Sequence, residues 1–197
     1  MKRQLKKIVC LTLITSMILG QKTLNTTKNV TAKEKKDIKI AIDAGHQARG
    51  NFATEPVGPG SGTRKAKVAG GATGVASHVP EYKLTLAVSK KLQKELKARG
   101  YKVYMIRTKN NVNISNKKRA QLANKSGADI YIRIHADSSN SRAVTGASGL
   151  YPSKANKYVS KLSTKSKKLS SCLLKSYCKK TKIRNRGLVA RDDLTGT

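Results

Sequence analysis

Apolar positions along this chain fall into distinct patterns, each predicting a different element. In Ile38-Lys-Ile-Ala-Ile-Asp43 and in Asp129-Ile-Tyr-Ile-Arg-Ile134 they crowd into short runs. Such runs suit parallel strands buried on both faces. Tyr101-Lys-Val-Tyr-Met-Ile106 reads as a further strand, and Gly146 to Tyr151 as a short one. Elsewhere the period is helical. Leu84, Val88, Leu92 and Leu96 make one stripe of a helix that opens at Pro80-Glu81 and closes at Gly100. Proline is tolerated in a first turn, where its missing N–H costs least, and glycine suits the position just past a helix end. Lys90, Lys91, Lys94 and Lys97 are expected to face water. Ser115 is placed to cap a second helix that runs to about Ser126, with Gly127 closing it. From about Asn156 to Lys180 a basic amphipathic helix carries Tyr158, Leu162, Leu169 and Leu173 on one side. Strands alternating with helices predict an α/β fold, a mostly parallel twisted sheet with helices on both faces.

Two stretches show no period. Residues 47–79 contain Gly58-Pro-Gly-Ser-Gly62 and Gly70-Gly-Ala-Thr-Gly74 and read as one long loop. A loop of that length in a compact domain is usually functional or mobile, and its expected use is to wall a groove beside His46. It lacks the Gly-Lys-Ser/Thr ending of a phosphate-binding loop, which excludes a nucleotide site there. Arg184 to Thr197 reads as polar and irregular.

The first 32 residues have a separate character. Met1 to Lys7 is basic, and Ile8 to Gly20 is uncharged and mostly apolar. That run is shorter than the ~20 residues of a membrane span and fits a signal peptide or a short N-terminal anchor. Val30-Thr31-Ala32 offers small residues for cleavage. Residues 33–37 then read as linker and 38–197 as one domain, exported and either secreted or anchored.

Charge narrows the partner class. Among 197 residues, 42 are Lys or Arg and 10 are Asp or Glu, a formal net charge of +32. Such a surface favours a polyanion. Seven Tyr, one Phe and no Trp make a poor base-stacking platform, and no recognition motif is present, so nucleic acid is not the expected partner. Cys10 lies in the leader. Cys172 and Cys178 are ~9 Å apart along a helix axis, beyond the roughly 7 Å that a disulfide allows, and are expected to be unpaired thiols.

The candidate chemistry sits at strand ends. His46 follows the first strand through Ala44-Gly45, and His135 directly follows Ile134. Open α/β sheets bind ligands at the carboxyl ends of their strands. Glu81, at a helix start, can approach the same edge. Two imidazoles and one carboxylate suit a catalytic zinc ion that keeps a position open for water. Taken singly, a turn histidine is usually a surface residue, and a glutamate at a helix start complements the macrodipole. Their matched placement is what joins the three. His78, in the glycine-rich stretch without strand support, is expected at the surface.

Asp43-Ala-Gly-His46, Pro80-Glu81, Asn113-Ile-Ser115, Arg119-Ala120, Ala123-Asn124 and Ile132-Arg-Ile-His-Ala136 follow one another in a specific order and spacing. Together they resemble the zinc-dependent N-acetylmuramoyl-L-alanine amidases, in the cell-wall branch (amidase type 3) of autolysins, spore-associated hydrolases and phage endolysins. The resemblance runs from about Lys39 to Thr197. It implies Zn2+ held by His46, Glu81 and His135, and hydrolysis of the amide between N-acetylmuramic acid and L-alanine in peptidoglycan. Anionic cell-wall polymers become the natural partner of the basic surface, and a monomer is expected. In such amidases a catalytic glutamate lies in a later strand, in a Val-Glu-hydrophobic-Gly motif followed by a last helix. Glu55, Asp137, Asp192 and Asp193 do not sit in a matching motif. The resemblance therefore implies a C-terminally incomplete domain with its last strand and helix missing, no identified catalytic base, and a general-base glutamate beyond Thr197. Loss of a general base typically costs ~10²–10⁴ in rate. The alternative is a non-catalytic remnant that binds zinc or wall polymer.

Overall fold

β1 (Lys39–Ala44) runs down the middle of a three-stranded parallel sheet, between β4 (Lys102–Met105) and β5 (Ile130–Ile134). The register sets Ile42 opposite Met105 on one side and Ile132 on the other. A strand paired on both edges and covered on both faces must be apolar, and Ile40, Ala41, Ile42 and Ala44 are all buried. This computed structural model describes residues 34–139, 141 and 143–194. The leader expected at 1–32, with Cys10, lies outside the described residues. Lys35–Asp37, in the expected linker, is a 3-10 turn. No helix among the described residues is long and apolar enough to cross a membrane.

α1 (Glu81–Ala98) packs against β1 and β4. Pro80 is its N-cap rather than a first-turn residue, and Gly100 ends it with φ +86°. Its buried face differs from the expected apolar stripe. Leu84 and Val88 are 44% and 42% exposed, whereas Glu81, Thr85, Leu86 and Ser89 are buried. The helix is rotated by polar demand: Glu81 and Thr85 make hydrogen bonds inside that outward-facing positions could not supply.

α2 (Asn116–Lys125) covers the sheet face that carries Ala41 and Asp43. Ala41, Ile106 and Ala123 form the core there, with Tyr104, Leu122 and Ala128 against it. Ser115 caps the helix as expected, its Oγ accepting from Lys118 N at 3.2 Å. β5 departs from the expected two-sided burial, since Tyr131 is 39% exposed. Among the described residues β5 pairs with β1 alone, so its outer edge lacks the neighbour that shields β1.

The stretch read as one long loop contains an antiparallel hairpin, β2 (Asn51–Pro56) and β3 (Arg64–Val68). A register shift between Asn51 and Thr54 breaks the alternation, and Phe52, Ala53 and Thr54 are all exposed, so no period-two pattern could mark the strand. Glu55 is buried beneath it and accepts from Lys117 N at 2.8 Å, in the first turn of α2.

β6 (Ala147–Pro152), α3 (Ser163–Thr181) and β7 (Asn185–Arg191) form a β–α–β unit with the two strands parallel. The expectation of irregular chain after Arg184 is thus corrected. β7 is secured by backbone pairing to β6 and by packing on α3, neither of which leaves an apolar run. α3 also starts later than Asn156. That residue is buried with its amide engaged: Oδ1 accepts from Tyr158 N and Val159 N, and Nδ2 donates to Asp192 O and Leu194 O. Leu162 and Leu173, expected inward, are 52% and 46% exposed, and Leu174 is buried instead. Cys172 and Cys178 are free thiols. The fold class stands: a mostly parallel α/β domain with helices packed on its sheets.

Candidate metal centre

His46, Glu81 and His135 come together at the carboxyl edge of the sheet. Their ligand atoms all lie within 4.8 Å of one another, and no other group of three or more His, Cys, Asp or Glu among the described residues is placed to share an ion. Glu81 Oε2 is 3.2 Å from His46 Nε2, and Oε1 is 3.0 Å from His135 Nδ1. The two imidazole rings meet edge to face, centroids 4.7 Å apart. Glu55, Asp137, Asp192 and Asp193 stand elsewhere: Glu55 under the hairpin, Asp137 beside Arg186, Asp192 and Asp193 after β7. His78 is exposed, as expected.

Backbone groups fix Glu81 and His46, and Glu81 in turn meets His135. Glu81 Oε2 accepts from Ala72 N at 2.9 Å and Oε1 from Ala136 N at 2.8 Å. Burial alone would raise its carboxyl pKa. The Ala72 and Ala136 N–H groups, and then His135 and His46, outweigh that and hold it below the usual carboxylate range. His46 adopts a left-handed backbone with φ 58°. Its Nδ1 lies 2.9 Å from Ala69 O; a carbonyl can only accept, so Nδ1 carries the proton and donates. The other ring nitrogen, Nε2, is the one that faces Glu81 Oε2. His135 is held below its ordinary pKa by burial first, then by Arg133 and His46, with Glu81 opposing.

Two imidazole nitrogens converge on one buried carboxylate here, and N,N,O is a donor set that zinc accepts. Tetrahedral ligands at ~2.0–2.1 Å sit roughly 3.4 Å apart, a spacing bracketed by the 3.0 and 3.2 Å approaches to the two Glu81 oxygens and the 4.8 Å limit of the cluster. The residues fit the ion.

Two glycines permit this crowding. A Cβ on Gly45 would lie 2.6 Å from His135 Cε1, and one on Gly71 would lie 2.8 Å from His46 Cγ and 3.1 Å from Glu81 Oε2. Segment 69–72, from the supposed loop, is therefore part of the site.

Beneath the cluster lie two buried arginines whose roles the sequence did not reveal. Arg107 Nε donates to Ala44 O at 2.9 Å, and Nη2 to Gly45 O at 2.9 Å and Tyr82 O at 2.8 Å. Thr85 Oγ1 also donates to Gly45 O, at 2.8 Å. Burial first, and then Arg119, lower the Arg107 pKa to about 10, so it stays charged at neutral pH. Arg119 Nη1 meets Asp43 Oδ1 at 2.6 Å and Ala44 O at 3.0 Å, and Nη2 reaches His46 O at 2.9 Å. Asp43 Oδ2 accepts from the Tyr131 hydroxyl at 2.7 Å, which burial and Asp43 push up in pKa. For Arg107 the available signal was an arginine directly after the apolar run that ends at Ile106, a costly place to put an unpaired charge.

A parallel α/β sheet with two imidazoles and a carboxylate gathered at its carboxyl edge defines a protein with a metal-competent active site. Residues 40–196 match the family model described as N-acetylmuramoyl-L-alanine amidase, and the chain belongs to that family. A solved N-acetylmuramoyl-L-alanine amidase from Clostridium difficile 630 is 28% identical, with TM-score 0.60 over 79% of this chain and 70% of that one. The N-acetylmuramyl-L-alanine amidase of Mycobacterium smegmatis has TM-score 0.69 at 20% identity, over 82% and 76%. An amidase catalytic domain from Bacillus (Paenibacillus) polymyxa var. colistinus has TM-score 0.57 at 23%, over 79% and 70%. The last two likenesses bear on fold alone. A search of curated proteins found no match.

Proposed function

We propose that this chain is a zinc-dependent N-acetylmuramoyl-L-alanine amidase, hydrolysing the peptidoglycan amide that joins the lactyl group of N-acetylmuramic acid to L-alanine. His46, Glu81 and His135 would hold the metal. The observation that carries the reading is the meeting of these three side chains, from three separate elements, within 4.8 Å. A zinc ion there supplies Lewis acidity toward the scissile carbonyl and makes water more acidic. The protein's own part is preparation. The Ala72 and Ala136 N–H groups keep Glu81 ionised, and Ala69 O fixes the His46 tautomer so that Nε2 is the free ligand atom. His135, with its lowered pKa, is neutral and competent at neutral pH. The basic surface would concentrate the enzyme on anionic wall polymers, an attraction that salt weakens. An N-terminal signal or anchor would deliver it to the wall.

A second reading, a domain that binds zinc or wall polymer without cleavage, is favoured by one observation. Glu81 is the single carboxylate in the cluster, and its own oxygens are already engaged by backbone and imidazole. Purified protein with zinc on isolated peptidoglycan decides between the two. Release of stem peptides with a new L-alanine amino terminus supports the amidase. Near-stoichiometric zinc without release supports the binding module. Zinc content near one per chain should fall sharply in His46→Ala, Glu81→Ala and His135→Ala.

A further inference from the structure

The chain that leaves the metal cluster builds a second feature. Gln47 and residues 49–52, which continue from His46, wall an open cleft of about 500 Å³ together with residues 111–113. Gln47 joins the two places: its Oε1 accepts from Arg119 Nη2, the same guanidinium nitrogen that holds His46 O, and from Ile114 N on the cleft side. The cleft and the candidate metal centre are thus fixed by one buried network.

The lining has a specific chemistry. Phe52 is the one Phe of the chain, and it stands 74% exposed at the cleft instead of in the core. Around it are Arg49, Asn51, Asn111 and Asn113, with no carboxylate. Asn51 Nδ2 donates to Asn113 Oδ1 at 3.0 Å and Asn51 Oδ1 accepts from Ala53 N, so these amides are set in place. An exposed aromatic face ringed by neutral amides suits a ligand with an apolar C–H face and a rim of hydroxyl and amide groups, while Arg49 can donate to a carbonyl oxygen. A pyranose with an acetamido substituent has that form. A charged peptide would ask for more ion-pairing groups than one arginine. An open cleft also suits a polymer that runs past the site better than an enclosed small molecule.

We propose that the Phe52 cleft is a subsite for an N-acetylated sugar of a glycan strand, lying next to the metal centre on the His46 side. This rests on the amidase reading for its biological substrate, though the binding chemistry stands on the cleft alone. The probe is a soluble tetramer of N-acetylglucosamine, with binding read by saturation-transfer NMR and titration on the full chain. Wild type should bind with Phe52 ring protons in contact. Phe52→Ala should weaken binding roughly tenfold, the scale of one aromatic contact, and Asn111→Ala by less. Both variants should keep wild-type zinc content and circular dichroism, which shows that the fold survives. A wild type that does not bind the tetramer overturns the subsite, as does a Phe52→Ala protein that binds it equally well. Preferential binding of a free stem peptide, lost in Phe52→Ala, also overturns it. Sugar binding without peptidoglycan cleavage would remove the amidase reading and leave the subsite standing.

Discussion

Arg107 and Gly45 are joined by a 2.9 Å hydrogen bond from Nη2 to the carbonyl one residue before His46. The same nitrogen reaches Tyr82 O, one residue after Glu81, at 2.8 Å. A single buried guanidinium therefore sets the spacing between the turn that bears one imidazole and the helix start that bears the carboxylate. Lysine cannot reproduce the fork, because its ammonium reaches only one of these points at a time. Arg107→Lys should cost about 2–4 kcal/mol in denaturant unfolding, since carbonyls are left buried and unpaired. Zinc affinity should fall ~10–100-fold, the usual effect of losing a group that orients ligands. Unchanged zinc affinity in a destabilised protein would assign Arg107 to stability alone.

Gly71 and Gly100 separate backbone strain from crowding. Both have positive φ, +84° and +86°. A Cβ at Gly100 would meet nothing within 4 Å, while one at Gly71 would press on His46 and Glu81. Gly100→Ala should lower stability by about 1 kcal/mol and leave zinc binding intact. Gly71→Ala should lose a similar amount of stability and, in addition, most of its zinc affinity, read by competition with a chelating dye. Equal zinc affinity in the two variants would mean that segment 69–72 moves aside freely.

What could be read from the sequence follows from the range of the forces involved. β1, α1, α2 and the placement of His46 and His135 after strands and of Glu81 at a helix start were legible because burial of a parallel strand and the residue types at helix ends leave local marks at fixed spacing. The hairpin was not, because its first strand is exposed at Phe52, Ala53 and Thr54 and held by backbone pairing. β7 stayed hidden for the same reason. The rotation of α1 away from Leu84 and Val88 could not be seen either, since it answers to Gly45 O, a partner 40 positions away from Thr85. Gly71 looked like one more loop glycine until its neighbours in space were His46 and Glu81.

Acid should destabilise the metal-free protein in two stages with the same sign. His135 is held below its ordinary pKa, so the unfolded chain takes up its proton first. Its contribution is complete above about pH 6.5 and declines from there toward the lowered folded value. Glu81 is also depressed, so its contribution is present above about pH 4.3 and is lost as pH falls through the folded value. Urea unfolding of the zinc-free protein between pH 8 and 4 should show stability falling throughout the acid range. His135→Gln should flatten the upper part of that slope and keep most of the lower part, which the Ala72 and Ala136 N–H groups sustain. An unaltered upper slope in His135→Gln would place the proton uptake on another group.

Glu55 offers a test of whether a buried carboxylate serves chemistry or structure. It is 5% exposed, and Oε1 accepts from Lys117 N at 2.8 Å, at the start of α2. The Ser115 hydroxyl takes Lys118 N in the same turn, so two residues from different strand and loop segments share the capping of one helix. A negative charge there also meets the positive end of the helix dipole. Glutamine keeps the size and one acceptor oxygen but removes the charge. Glu55→Gln should therefore cost about 0.5–2 kcal/mol of stability, in line with other weakened caps. Peptidoglycan hydrolysis per folded molecule should stay at the wild-type level, with zinc content unchanged. If instead hydrolysis fell a hundredfold while stability held, Glu55 would serve the reaction from outside the candidate metal centre and not merely cap α2.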